Sequence, residues 1–116
     1  MGAAFKNRRK ITVAENRYVW YVSPDYDCGA MVLHVASIDK QFAVKYQIQQ
    51  PVADAYIVVL GRQFAGAVTG GPWKRFACPR FVSDIVKPSA VRQLIEWCLD
   101  ERLTRQEYQS TFPCGL

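Results

Sequence analysis

Histidine is almost missing from this sequence: among 116 residues His34 is the only one. Any Ser-His-Asp or Cys-His mechanism would have to run through that ring. No two of the four cysteines, Cys28, Cys78, Cys98 and Cys114, stand in a CxxC spacing. Two ligands on one turn normally preorganise a structural zinc site, so a Cys3His set with His34 has only arithmetic in its favour. The reading is no metal and no cofactor. GxGxxG and HExxH do not occur, and the glycines between 61 and 72 are not followed by GKS or GKT, which leaves no phosphate loop. Acid pairs such as Asp25 with Asp27, or Asp100 with Glu101, are too common to imply glycosidase chemistry. No apolar run approaches the ~20 residues of a membrane span. Lys6, Arg8, Arg9 and Lys10 lead into alternating sequence and not into an apolar stretch, so no secretory signal is read. The expectation is a cytoplasmic chain without disulfides, a compartment that keeps thiols reduced.

What is present is a foldable composition. Half the residues are apolar or aromatic and 22% are charged. That length suits one domain able to bury roughly two-thirds of its unfolded surface without a metal or disulfide. The net charge is +5, unevenly distributed: +4 over residues 1–17, +2 over 18–87 and −1 over 88–116. Residues 1–9 read as a flexible basic leader, 10–103 as a single domain and 104–116 as a tail.

Strand signals fill the first two-thirds. Ile11–Val13 and Tyr18–Val22 form a hairpin through Ala14-Glu15-Asn16-Arg17, with Asn16 suited to positive φ. Residues 23–29 are a loop by their Pro, Asp and Gly content. Met31–Ala36 follows, with Met31, Leu33 and Val35 on one face and Val32, His34 and Ala36 on the other. Phe42, Val44, Tyr46 and Ile48 alternate with Ala43, Lys45 and Gln47, the pattern of a half-buried antiparallel strand. Ala55–Leu60 is apolar throughout and reads as a central strand covered on both faces. Residues 61–72 are Gly-rich, the best place for a mobile loop. Trp73–Cys78 reads as one more strand.

One helix is clear. Pro88 fits a first helical position, and Val91, Leu94, Ile95, Cys98 and Leu99 make one apolar stripe. Trp97 sits at its edge, Arg92, Gln93, Glu96 and Asp100 lie opposite, and the pattern extends to Arg102 or Leu103. Lys87 occupies the N-cap position and is a poor capping residue. The expected fold is α+β: an antiparallel, curved meander sheet of five or six strands, covered by one C-terminal amphipathic helix. The absence of βαβ alternation excludes a Rossmann-like sheet.

Several segments carry a resemblance: Lys10-Ile11-Thr12-Val13, Tyr18-Val19-Trp20-Tyr21-Val22, Val35-Ala36-Ser37-Ile38-Asp39-Lys40, Val59-Leu60-Gly61-Arg62 and Lys87-Pro88-Ser89-Ala90-Val91-Arg92-Gln93-Leu94-Ile95. Over roughly residues 8–100 the chain resembles small bacterial proteins of unknown function of the integron gene-cassette type. The resemblance implies a compact α+β fold and a bacterial origin. In such proteins Thr-Pro often opens the helix, where this chain has Lys87-Pro88. It transfers no catalytic residue.

Two functional expectations follow, neither of them catalytic. In the first, an aromatic-rich sheet presents a concave surface lined by Tyr18, Trp20, Tyr21, Trp73 and Phe76, with His34 nearby, for a small ligand, a protein or a second copy of the chain as a homodimer. In the second, nucleic acid binds through Arg8, Arg9 and Lys10 together with Lys74, Arg75 and Arg80 of the acid-free stretch 73–81. An enzyme built on His34 ranks below both.

Overall fold

The computed structural model describes residues 8–24, 31–48, 50, 55–64, 74–82 and 85–103. They form six strands and a helix: β1 (Arg9–Val13), β2 (Asn16–Pro24), β3 (Met31–Ser37), β4 (Ala43–Gln47), β5 (Tyr56–Val59), β6 (Lys74–Ala77) and α1 (Pro88–Leu99). The strands make one sheet in the order β1-β2-β3-β4-β5-β6, and every neighbouring pair is antiparallel. Each strand pairs with its neighbours in sequence, so the sheet is a simple meander. The expected fold class is what the structure has.

Strand alternation assigns the two faces. Ile11, Tyr18, Trp20, Leu33, Val35, Val44, Tyr46, Ile57, Val59 and Phe76 point to one side, where Val91, Leu94, Ile95 and Cys98 of α1 close the main core. Each large aliphatic side chain fully buried there contributes roughly 1.5–3 kcal/mol. The opposite side is the outer face. Its β5 end holds a second, small cluster of Val32, Tyr56 and Val58 with Leu60 beside it. All four residues of β5 are buried, as its unbroken apolar run requires.

The turns differ from the expectation in detail. Val13 pairs with Asn16, so the first hairpin turns on Ala14 and Glu15 alone, at φ 49° and 69°. A two-residue turn of type I′ has left-handed backbone at both central positions, so Ala14 and Glu15 take the positive φ and Asn16 begins β2. The β3–β4 turn is held by polar atoms. The Ser37 hydroxyl donates to Asp39 Oδ1 at 2.6 Å, and that oxygen also accepts the Gln41 N–H at 3.1 Å. These two bonds, the Ser37 hydroxyl first, hold the Asp39 carboxyl below the usual carboxylate range.

Residues 61–64 are anchored, contrary to the expectation of a mobile loop from 61 onwards. The Arg62 and Gln63 N–H groups both donate to the Gln41 carbonyl, at 2.6 and 2.9 Å. Phe64 is buried and stacks on Phe76 with centroids 4.8 Å apart. The rest of that stretch, 65–72, lies outside the described residues, as do Trp73, Asp25, Asp27, Cys28 and Cys114.

Helix α1 stops three or four residues early, at Leu99. Asp100 is extended at φ −81° and ψ 105°, and its carboxylate instead accepts the Arg102 N–H and guanidinium at 3.0 Å. Lys87 makes no side-chain cap, as its chemistry dictates. The Arg92 guanidinium reaches the Thr12 carbonyl at 3.2 Å and ties the helix to β1.

Candidate functional site

The aromatic residues expected to line an open surface divide between the two faces. Tyr18, Trp20 and Phe76 are 1%, 5% and 4% exposed. They are core residues, because strand parity points them at α1. Tyr21 and His34 point the other way. They face each other across β2 and β3, with parallel rings 4.5 Å apart at an interplanar angle of 3°.

The basic residues also divide. β1 and β6 are the two edges of the sheet, separated by five strand spacings, or ~24 Å. Arg8, Arg9 and Lys10 therefore do not form one patch with Lys74, Arg75 and Arg80. Arg9 turns to the core side, its guanidinium 5.7 Å from the Trp20 ring. Lys74 shares that side, in register with Val59. Arg75 faces outwards beside buried Val58, and its own Nε is buried. Arg80 is exposed beyond β6.

What the sheet does assemble is a basic half of the outer face. The Arg8 guanidinium lies 4.9 Å from the Tyr21 centroid. Arg8, just before β1, thus forms a column of planar groups with Tyr21 on β2 and His34 on β3, and Lys45 pairs in register with His34 on β4. Lys10 pairs with Val19, and Arg17 with Thr12, on the same face. Arg8, Lys10 and Arg17 are exposed and Lys45 is half-buried. The six strands carry six Lys or Arg (Arg9, Lys10, Arg17, Lys45, Lys74 and Arg75) and no Asp or Glu. A groove of about 700 Å³ adjoins this half. Lys10, Thr12 and Arg17 line it, together with Ser37, Asp39 and the exposed Ile38.

Burial first, then the charges of Lys45 and Arg8, push the His34 imidazole down to about 4, so it is neutral at pH 7. Its Nε2 lies 3.0 Å from the Ser23 hydroxyl, a pairing that sequence spacing did not bring out. The pair superficially resembles a nucleophile and its base. A base of that pKa is far too weak to work near neutrality, and no carboxylate among the described residues is seen orienting Nδ1. Ser23 and His34 instead satisfy each other on the sheet surface.

Cys78 and Cys98 are free thiols. Burial pushes Cys78 up to about 12, which makes it inert as a nucleophile; Cys98 is a core residue of α1. Among the described residues no three His, Cys, Asp or Glu side chains gather where they could hold a metal ion. No described helix is long and apolar enough to cross a membrane.

Fold and site together define a small antiparallel sheet with one helix-covered face and one basic, ring-bearing face. In comparisons with protein-family models, curated proteins and solved structures, the chain matches none.

Proposed function

We propose that this protein is a non-catalytic binding module that takes an anionic partner on the basic half of its outer sheet face. One observation carries the reading: the strands hold cations and no acid, with Arg8, Lys10, Arg17 and Lys45 all on that face. A surface of one sign attracts an opposite partner and raises its encounter rate. Homodimerisation by strand addition at β1 has less support. Arg9 and Lys10 charge that edge, and Arg92 already occupies the Thr12 carbonyl, features that discourage edge pairing.

The test is retention on an immobilised sulfated polysaccharide, comparing Arg17→Gln with Lys87→Gln. Both remove one positive charge, but Lys87 sits at the start of α1, away from this face. Earlier elution of Arg17→Gln alone supports the reading. Equal shifts for both variants, which would report net charge only, contradict it.

A further inference from the structure

Resting on that reading, we infer that the anionic partner is single-stranded nucleic acid, bound across β1–β4 with its phosphates on Arg8, Lys10, Arg17 and Lys45 and a base stacked against Tyr21. The four cations flank the ring pair at strand spacing, so the patch spans about 14 Å across the sheet. Cations that track a backbone beside rings that take bases are the two parts of a single-strand site. Strand parity supplies both: Tyr21 and His34 form the ring pair, and the floor beside them is built from Val19, Ala36 and Ala43, which are half-buried and small enough to let a strand lie flat. Neutral His34 backs the Tyr21 ring as a second planar surface and adds no competing charge.

Tyr21 carries the Arg8 guanidinium on the face turned away from His34. Base–aromatic stacking outweighs an exposed cation–π contact, so an incoming base displaces the guanidinium from the ring and leaves it for the adjacent phosphate. A folded polyanion without planar groups, such as a sulfated polysaccharide, would use the cations and leave Tyr21 untouched. Duplex nucleic acid offers phosphates but keeps its bases stacked on each other, away from the ring.

The experiment is fluorescence anisotropy of the full chain with a labelled oligothymidylate of about twelve nucleotides, its duplex with oligoadenylate, and a sulfated polysaccharide as competitor. Four phosphate contacts at about 0.7 each predict a log–log salt slope near −3 for the single strand. Tyr21→Leu weakens it about tenfold without changing the slope, whereas Arg17→Gln lowers the slope by about 0.7. Tyr21→Thr, with its strand-favouring side chain, is the second variant if Tyr21→Leu does not fold. Duplex binding as tight as single-strand binding, or a ring substitution that costs nothing, overturns the inference. Binding of the polysaccharide without the oligonucleotide overturns it while leaving the binding-module reading in place. No binding of any polyanion at low salt overturns both.

Discussion

Gly61 is the position where the fold is least able to accept a side chain. The Leu60 and Gly61 N–H groups both donate to the Ala43 carbonyl, at 2.9 and 3.1 Å. Arg62 and Gln63 then share the Gln41 carbonyl. The chain therefore crosses directly over the start of β4. A Cβ on Gly61 would run into the Gln41 carbonyl oxygen and lie 2.6 Å from the Ala43 nitrogen. Both obstacles are backbone, so no rotamer change relieves them. Gly61→Ala must lift the end of β5 from β4, weakening four hydrogen bonds worth about 1 kcal/mol each. It also tugs on Phe64, three residues beyond Gly61, which stacks on Phe76. Overpacking of this kind costs about 1–3 kcal/mol, and because the four hydrogen bonds are stretched and not lost, the upper part of that range, about 2–3 kcal/mol, is expected. At roughly 4 °C per kcal/mol for a domain of this size, Tm falls by about 8–12 °C. Urea unfolding followed by far-ultraviolet circular dichroism measures it, with an unchanged m value showing that the unfolded state is not responsible. A Gly61→Ala protein within about 0.5 kcal/mol of the parent would refute this packing at the β4–β5 crossing.

Three further changes have definite signs. Glu15→Gly relieves left-handed backbone at a two-residue turn and should stabilise by about 0.5–1 kcal/mol; a lower Tm would show that the hairpin does not turn on Ala14 and Glu15. Lys87→Ser supplies the missing N-cap of α1 and should add about 1 kcal/mol, read in the same denaturation assay, where no gain would argue against that helix start. His34 is held near 4 in the folded chain against an ordinary 6.5, so the unfolded state binds more protons between those values. Its contribution is complete above about 6.5 and is lost as pH falls through about 4, amounting to about 1–2 kcal/mol after discounting for its partial exposure. His34→Gln should flatten that part of the stability–pH curve; an unchanged slope would contradict the shift.

The meander and its helix were legible because each rests on a period: two along β4, 3.6 along α1. Turn detail was less so. Asn16 has the chemistry for positive φ, but pairing of Val13 with Asn16 forces the strain onto Ala14 and Glu15, a tertiary outcome no local preference announces. The buried fate of Tyr18, Trp20 and Phe76 was readable from parity with Val35, Val44 and Ile57, since rings on the core side cannot also line a surface. The basic face was hidden by counting charge along the chain. Residues 18–87 are nearly balanced, yet the described strands among them hold Lys45, Lys74 and Arg75 and no Asp or Glu. Sorting charge by strand and parity, and not by chain segment, would have found it. The contact of Ser23 with His34 depends on register across β2 and β3, which the sequence did not determine.

The central claim is that the outer face of β1–β4 is where this protein binds. The most direct measurement is a titration of the isotope-labelled full chain with oligothymidylate, followed through backbone amide resonances. The account predicts shifts concentrated at Lys10, Arg17, Tyr21, His34 and Lys45, with Val91, Leu94 and Ile95 of α1 unmoved. Shifts gathered instead around the start of α1, at the cavity of about 420 Å³ lined by Phe81, Ile85 and Gln93, would contradict it.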